Sequence, residues 1–321
     1  MPKIGIVPQR VRMHSPFRTR PQLVKKPMPH ELEEPDFRPI VESPALTRFL
    51  PGTAIEIVRP AANRGFRYAL FDFDGTLSLI RAGWQNVMIP MMVEILHDAD
   101  PRESPPTLEA LVREFVTELT GKQTIYQMIR LAEEVQKRGG RPLEPQRYKA
   151  EYTRRLMQRI GERREGLRSG RYRPDDWMVP GSREVLDLLR QRGVDLYLAS
   201  GTDQPDVREE VALLGLDAYF GERIFGAVQD YRRFSKAKVI QDALREHGVS
   251  GAFLLGFGDG YVEIVNVKEV GGTAVAVASD EVFRDGRVDA WKRDRLIRAG
   301  ADLVIPDYRQ YRELIDYLWG A

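Results

Sequence analysis

The sequence predicts an α/β fold with a doubly wound, mostly parallel sheet, and two observations support this prediction. Short apolar runs alternate along the chain with amphipathic segments of helical spacing, as they do in proteins with parallel sheets. The alternation is interrupted once, because residues 83–176 show helical patterns only. This interval predicts a helical domain inserted after the first strand of the sheet.

Six apolar runs are too short for helices and are rich in β-branched or aromatic residues, which is typical of strands. They are YALFDF (68–73), VDLYLA (194–199), RIFGAV (223–228), AFLLGFG (252–258), TAVAVA (273–278) and DLVI (302–305). Helical segments lie between them, for example at residues 182–193 and 235–248, each of which ends in a glycine suited to a C-cap. Ligands of such sheets bind beyond the carboxyl ends of the strands.

The chain divides into three predicted parts. Residues 1–65 form a basic, Pro-rich N-terminal arm, whose first 30 residues hold seven Lys or Arg, no acid and six prolines. The composition of residues 1–30 favours extended backbone and cannot build a core. The strand-like alternation in TAIEIV (53–58) indicates that the arm docks on another surface before the main domain begins. The sheet domain comprises residues 66–82 and 177–321, and residues 83–176 form a helical cap whose Met and aromatic stripes belong to its core.

Composition excludes several functional classes. The 321 residues contain no cysteine, so disulfides, thiolate metal sites and cysteine nucleophiles are excluded. A net charge of +2 gives no case for a nucleic-acid partner. Because the N-terminus lacks the apolar stretch of a signal peptide and no apolar run approaches the length of a membrane span, we expect a cytoplasmic protein without a membrane partner. The arm is either a solvated tail or a contact with another subunit of a homo-oligomer.

The stretch DFDGT (72–76) places two carboxylates at the end of the first predicted strand. Asp72 and Asp74 lie on the same side of an extended segment and raise each other's pKa, so the pair calls for a cation or a reaction that uses both groups. Asp72 is suited to act as a nucleophile, and Asp74 to exchange protons with a leaving group and then with water. Gly75 permits a tight turn, and Thr76 with the turn amides can hold phosphate oxygens.

Further candidates follow later strands. Ser200 ends the second strand and precedes Gly201, so a hydroxyl and turn amides are expected near a phosphoryl group. Lys236 begins a helix whose predicted N-cap is Ser235, at a position that favours anions. Lys238, two residues later, is a competing candidate for the same role.

A third carboxylate reaches the same edge of the sheet. Asp259 follows the strand AFLLGFG, and Glu263 lies one helical turn later on the same face. Glu263 is alternatively an ordinary acid on the helix surface. Several carboxylates beside an anionic phosphate need positive charge, and Mg²⁺ with one or two carboxylates and the substrate phosphate is the usual arrangement.

The stretches DFDGT (72–76), LASGT (198–202), FSKAKVI (234–240) and GFGDGYVEI (256–264) resemble, in order, the four motifs of the haloacid dehalogenase (HAD) superfamily of phosphotransferases. The resemblance covers residues 66–321 and is strongest for members with a helical cap after the first motif, such as phosphoglycolate phosphatase and β-phosphoglucomutase. It implies a Rossmann-like, HAD-type core. The arm has no counterpart in this pattern.

The resemblance also implies roles for particular residues. Mg²⁺ would be held by Asp72, the main-chain carbonyl of Asp74 and Asp259, with Glu263 supporting through water or through the lysine. Many members have Gly-Lys-Pro where this chain has Ser-Lys-Ala (235–237), a difference that keeps Lys238 as an alternative to Lys236.

The stretch TGKQT (120–124) lies where capped members carry a loop that contacts the leaving group. Lys122 and Gln123 are therefore the exposed candidates for substrate specificity. The alternative is an ordinary helix N-terminus with a solvated lysine.

By resemblance to this superfamily, in which members that do not cleave phosphate esters lack an acid two residues after the nucleophile, Asp74 argues for a phosphate monoester. The sequence therefore predicts a Mg²⁺-dependent phosphatase that hydrolyses a small phosphorylated metabolite, such as a sugar phosphate or a phosphoglycolate-like ester, through an aspartyl-phosphate. A phosphomutase of the β-phosphoglucomutase type is the alternative. A catalytically idle binding or scaffold module that uses the basic arm is a third hypothesis.

Overall fold

A single sheet of eight strands forms the centre of the molecule in the computed structural model, which describes residues 34–40, 47–61 and 65–320. Across the sheet the strands follow the order β1-β2-β8-β7-β6-β3-β4-β5. Their bounds are β1 (Arg48–Phe49), β2 (Glu56–Ile57), β3 (Tyr68–Phe71), β4 (Asp195–Asp203), β5 (Ile224–Ala227), β6 (Leu254–Gly258), β7 (Thr273–Val277) and β8 (Leu303–Ile305). Strands β3 to β8 pair in parallel, so the predicted mostly parallel α/β sheet is confirmed.

The central position of β3 determines which side chains meet at the edge of the sheet. Leu70 of β3 lies opposite Tyr197 of β4 on one side and opposite Gly256 of β6 on the other. The three neighbouring strands therefore run to the same edge, where the residues that follow Phe71 and Gly258 meet the last residues of β4, after Ala199.

A helical cap fills most of the interval between β3 and β4. Its helices are α1 (Gln85–Ala99), α2 (Pro105–Glu118), α3 (Thr124–Lys137) and α4 (Pro145–Arg168). Ser104 caps α2 by accepting a hydrogen bond from the Thr107 amide, and Pro105 takes the first helical position, where no amide hydrogen is required. Met92, Leu108 and other apolar side chains of these helices are fully buried, so the cap has its own packed interior.

Helices cover both faces of the sheet. The core helices are α5 (Ser182–Gln191), α6 (Gln204–Leu213), α7 (Asp217–Phe220), α8 (Lys236–His247), α9 (Tyr261–Glu269), α10 (Ala290–Arg298) and α11 (Tyr311–Trp319). Because side chains of a strand alternate, Phe71 packs in one apolar cluster with α5 and α11, whereas Leu70 packs in the other with α8, α9 and α10. Over the described ranges, no helix combines the length and the apolar character that crossing a membrane requires.

Part of the segment assigned to the arm belongs to the sheet domain. Strand β2 pairs antiparallel with β8, β1 pairs with β2, and Glu56 forms an ion pair with Arg293 of α10. The boundary at residue 65 was therefore placed too late, because residues 48–57 add an antiparallel edge to the core sheet. Residues 1–33, where the basic, Pro-rich composition lies, fall outside the described residues.

Candidate active site

A cavity of about 110 Å³ lies between the carboxyl edge of the sheet and the cap. Its lining comprises Asp72, Asp74, Arg81, Trp84, Met88, Thr120, Gly121, Lys122, Thr124, Gln127, Tyr152, Ser200, Gly201, Thr202, Lys236 and Asp259. The structure thus brings together the candidates from all four sequence motifs. Trp84 and Met88, which we assigned to the interior of the cap, also form part of this lining.

Asp72 lies at the bottom of the cavity in contact with a lysine. The Nζ atom of Lys236 lies 2.8 Å from Oδ1 of Asp72, and the same lysine forms an ion pair with Glu263. Burial raises the pKa of Asp72, and the charge of Lys236 opposes that rise. Ser235 caps helix α8 by accepting from the Lys238 amide, as predicted, and this capped turn fixes the start of the helix from which Lys236 extends.

The alternative lysine has a different environment. Lys238 extends from the same helix but forms an ion pair with Asp242, and both side chains are more than two-fifths exposed. The geometry therefore favours Lys236 as the lysine of the site. Glu263, which could have been a surface acid, is 1 % exposed and lies behind Lys236.

Asp74 is held by hydroxyl groups of β4. Thr202 Oγ1 donates to Asp74 Oδ2 at 2.8 Å, and Ser200 Oγ donates to the same oxygen at 3.4 Å. Burial, opposed by the nearby charge of Arg81, raises the pKa of Asp74 to about 6. A carboxyl group with this pKa can exist in both protonation states near neutral pH, which acid/base work requires. Thr202 was not among the predicted site residues, although its position two residues after Ser200 on one strand places both side chains on the same face.

The turn after Asp74 links the first and fourth motifs. Gly75 has a φ of 75°, and a Cβ atom at this position would overlap the carboxylate of Asp259. The Asp259 amide donates to Thr76 Oγ1 at 3.0 Å, which keeps the two loops together. Glycine is required here both for the left-handed backbone and for the close approach of the acid.

Asp259 has a partner that sequence reasoning missed. The Nζ atom of Lys292, from helix α10, lies 2.9 Å from Asp259 Oδ2 and 2.8 Å from Glu281 Oε1. Burial raises the pKa of Asp259, with Lys292 opposing the rise and Asp72 adding to it. No local pattern marked Lys292, because it lies on an amphipathic surface helix that looks ordinary in sequence.

Arg81, which the sequence did not indicate, lines the cap side of the cavity and has a buried carboxylate partner. Arg81 donates through Nε and Nη2 to the fully buried carboxylate of Glu210 on α6, with contacts of 2.8–3.2 Å. The Nε atom of Arg81 also lies 4.0 Å from Asp74 Oδ1. This ion pair ties the linker that leads into the cap to the sheet domain, next to Asp74.

The expected exposure of Lys122 and Gln123 was wrong. Gln123 is 1 % exposed, and its Nε2 atom donates to the Phe234 and Tyr231 carbonyls at 3.0 and 3.3 Å. The side chain of Lys122 is 5 % exposed, and its Nζ atom lies 2.6 Å from an Asp36 oxygen. The loop is buried because it contacts the sheet domain below and residues 34–40 above it.

Residues 34–40, which we call the strap, cross the junction between cap and sheet domain. Buried Glu34 accepts a hydrogen bond from the Gln123 amide at 2.6 Å. The ring of Phe37 packs edge-on against Tyr261 with centroids 5.4 Å apart. The hydroxyl of Tyr261 donates to the Pro35 carbonyl at 2.9 Å. One short segment therefore contacts the cap loop through its acids and the sheet domain through Phe37 and the Pro35 carbonyl.

The donors at the edge of the sheet match the preferences of Mg²⁺. No group of three or more His, Cys, Asp or Glu side chains converges on one point within the parts of the chain that the structure describes. The set implied for Mg²⁺ needs only two carboxylates, Asp72 and Asp259, together with a carbonyl, waters and substrate phosphate. Burial raises the pKa of both acids, with Asp74 adding to the rise at Asp72 and Asp72 adding to the rise at Asp259, so a cation between them would relieve an unfavourable accumulation of charge. The residues present therefore fit the metal.

The fold and the site define a capped α/β hydrolase, with an aspartate pair at the end of the central strand. A family model described as haloacid dehalogenase-like hydrolase matches residues 66–271. The match covers more than half of the chain, and the protein belongs to this family.

Solved structures show the same fold. A predicted phosphoglycolate phosphatase from Haemophilus somnus matches with a TM-score of 0.50 and 16 % identity, over 79 % of this chain and all of that one. A family IA HAD hydrolase from Entamoeba histolytica matches with a TM-score of 0.51 and 17 % identity, over 79 % and 99 % of the two chains. A predicted phosphatase from Clostridium acetobutylicum has a TM-score of 0.50 and 14 % identity, over 78 % and 99 %. No curated protein sequence matches significantly.

Proposed function

We propose that this hydrolase is a Mg²⁺-dependent phosphatase that cleaves a small phosphate monoester through an aspartyl-phosphate on Asp72. The observation that carries the proposal is the environment of Asp74. This second acid is fixed by Thr202 and Ser200 beside the cavity, and its pKa of about 6 suits a group that gives and then takes a proton.

Each residue has a defined part in the proposed reaction. A carboxylate oxygen of Asp72 attacks phosphorus, and the bond to the ester oxygen breaks as Asp74 delivers its proton to that oxygen. Asp74 then removes a proton from the water that attacks the aspartyl-phosphate, which releases phosphate and restores the Asp72 carboxylate. Lys236, paired with Glu263, keeps a positive charge beside Asp72 and the phosphoryl oxygens throughout.

The remaining groups hold the phosphoryl oxygens. Ser200, Gly201 and Lys236 line the part of the cavity where these oxygens would lie. The predicted contribution of the Gly75–Thr76 turn amides is not supported, because these amides donate to the Ser78 and Phe73 carbonyls. Asp72, Asp259 and the carbonyl of Asp74 would hold Mg²⁺, which when bound supplies positive charge that offsets the phosphate and the carboxylates.

The size of the cavity limits the substrate. At about 110 Å³ it is smaller than the roughly 300–1,000 Å³ typical of pockets for drug-sized ligands. A small ester fits this space, and a larger leaving group would require the cap to move away from the sheet domain.

Phosphate release from p-nitrophenyl phosphate and from a panel of small phosphate esters, with and without Mg²⁺, tests the proposal. We expect metal-dependent turnover that Asp72→Asn abolishes while the fold, judged by circular dichroism, is unchanged. Substantial activity in Asp72→Asn would refute the covalent mechanism. Transfer of phosphate to a second hydroxyl of the same compound, without release, would identify a mutase instead.

A further inference from the structure

The cationic side chains of the cavity already have carboxylate partners. Among the residues that the structure describes, three cations line it: Lys236 contacts Asp72 and Glu263, Arg81 contacts Glu210, and Lys122 contacts Asp36. The first belongs to the phosphate end of the site. Arg81 and Lys122 lie toward the cap, where the leaving group of the ester would lie, and neither presents an unpaired charge there.

The partner of Lys122 comes from outside both domains. Lys122 lies on the cap loop and lines the cavity, but its ammonium group is held by Asp36 of the strap and lies 5.0 Å from the Tyr126 ring centroid. Glu34 of the same strap lies against the next amide of the loop. The strap therefore adds two acidic groups to this side of the site. One of them, Asp36, forms an ion pair with the lysine that an anionic leaving group would otherwise contact.

The other groups at the cap end are neutral. Thr124, Gln127 and Tyr152 offer hydroxyl and amide groups, and Trp84 and Met88 offer apolar surface. Such a lining can hydrogen-bond the hydroxyls of a neutral molecule and cover its carbon skeleton. Among the described residues, a carboxylate placed here would lie near Asp74 and would find no cation that lacks a carboxylate partner, which is unfavourable in a largely buried site.

We propose that the strap is a specificity element: Asp36 holds Lys122 away from the leaving group, and the substrate is consequently an ester of a neutral, hydroxyl-bearing alcohol. This inference rests on the proposed phosphatase function. Removing the Asp36 charge would leave Lys122 poorly exposed to water and with only the more distant Glu34 as a nearby strap acid, so the lysine would become available to a carboxylate on the substrate.

Two esters that differ in one group provide the test. 2-Hydroxyethyl phosphate and phosphoglycolate share their phosphate end, but one ends in a hydroxymethyl group and the other in a carboxylate. We expect the wild-type kcat/KM to be higher for 2-hydroxyethyl phosphate. In Asp36→Asn the ratio of the two kcat/KM values should shift about tenfold or more toward phosphoglycolate, because a charge-assisted hydrogen bond to Lys122 becomes possible.

Matched variants test whether the shift in the kcat/KM ratio depends on Lys122. Asp242→Asn frees Lys238 on the surface of α8 in the same way and should leave the ratio unchanged. Adding Lys122→Met to Asp36→Asn should abolish the gain. A wild-type preference for phosphoglycolate would overturn the inference. So would parallel changes on both esters in Asp36→Asn, because those would report cap movement rather than selection, or a gain that persists without Lys122.

Failure of the phosphatase itself would look different. If no ester, p-nitrophenyl phosphate included, released phosphate, the proposed function would be refuted. The two esters would then be compared as ligands by calorimetry on wild type and Asp36→Asn. The same shift in the ratio of dissociation constants supports the role of Asp36, and an unchanged ratio refutes it.

Discussion

At the scale of single residues, the chemistry of the site depends on which cation or hydrogen-bond donor contacts each carboxylate. Asp72 has Lys236, Asp259 has Lys292, and Asp74 has hydroxyl donors with Arg81 at a greater distance. Within the described ranges, Asp74 is the one of the three acids without a cation in direct contact. Its Oδ1 atom is buried without a hydrogen-bond partner among the described residues. An acid that must exchange protons is better left without a close cation, since a direct ion pair would hold it in the charged form.

Asp74→Asn should slow turnover by about 10²–10⁴-fold, the usual contribution of general acid/base catalysis. The metal should be affected little, because the proposed ligand from this residue is its main-chain carbonyl. Steady-state kinetics and a Mg²⁺ titration measured by calorimetry check both parts. A variant with normal turnover, or one that loses Mg²⁺ as completely as Asp259→Ala, would contradict these assignments.

The two lysines of helix α8 form a matched pair. Lys236→Met should remove nearly all activity and lower the free energy of unfolding by about 3–5 kcal/mol, because it leaves buried Asp72 and Glu263 without their cation. Lys238→Met removes only a surface ion pair and should change stability by about 0.5 kcal/mol or less. Urea denaturation and kinetics on both variants provide the comparison. The reverse order of effects would show that Lys238, not Lys236, is the lysine of the third motif.

At the scale of elements, the strap contacts both the cap and the sheet domain, and no pattern in its sequence predicts these contacts. Phe37 packs against Tyr261 and beneath Arg295, whose guanidinium carbon lies 4.2 Å from the ring centroid of Phe37. Arg295 in turn donates to the Glu118 carbonyl at the end of α2. Cap and sheet domain are therefore linked through the strap as well as through the chain connections.

Docking of the strap should weaken as pH rises. Burial raises the pKa of Glu34 from 4.5 to about 7, with the Gln123 amide, Lys236 and Lys122 opposing the rise and Asp72 adding to it. The docked form thus binds a proton more tightly than the undocked form, so docking is most stable below pH 4.5 and loses that stability as pH increases through about 7. The protection factor of the Gln123 amide in hydrogen exchange measures docking.

Glu34→Gln provides the control for this prediction. The carboxamide oxygen can still accept from the Gln123 amide, but the side chain no longer ionises. We expect protection of that amide to fall between pH 5 and 8 in the wild type and to stay level in the variant, in both cases after correction for intrinsic exchange. A wild-type protection factor that does not change over this range would show that Glu34 remains charged when the strap is docked.

At the scale of the whole molecule, the basic segment before the strap remains to be explained. It holds the seven Lys or Arg and six Pro of the first 30 residues and no acid, and it lies outside the described residues. The strap, which follows this segment in the chain, docks at the junction of cap and sheet domain. We propose that residues 1–33 contact another subunit of a homo-oligomer.

A chain that begins at Glu34 tests the oligomer while it keeps the strap and the β1–β2 edge. Light scattering should give a smaller mass for this chain than for the full-length protein, with kcat on p-nitrophenyl phosphate largely retained. Equal masses would remove the oligomer hypothesis. A truncation at Gly65 would be less informative, because it also removes strands of the core sheet.

The sequence by itself determined the sheet, the inserted cap and the residues at the edge of the sheet. All six predicted strands form, because runs such as those ending at Phe71 and Gly258 are apolar, short and bounded by turn residues. Because the strands pair in parallel, their carboxyl ends lie at the same edge of the sheet, and this does not depend on how the side chains pack. The placement of Asp72, Asp74, Ser200 and Asp259 in one cavity follows from local pattern and topology alone.

The partners of these residues were decided only by the tertiary structure. Lys122 and Asp36 are 86 positions apart, Thr202 and Asp74 are 128 apart, and Lys236 and Asp72 are 164 apart. A charged or hydroxyl side chain on a helix or loop carries no periodic signal that says which distant group it will meet. Burial and pairing, which set the pKa of Asp74 and determine whether Lys122 can contact a substrate, depend on how separate elements approach in space.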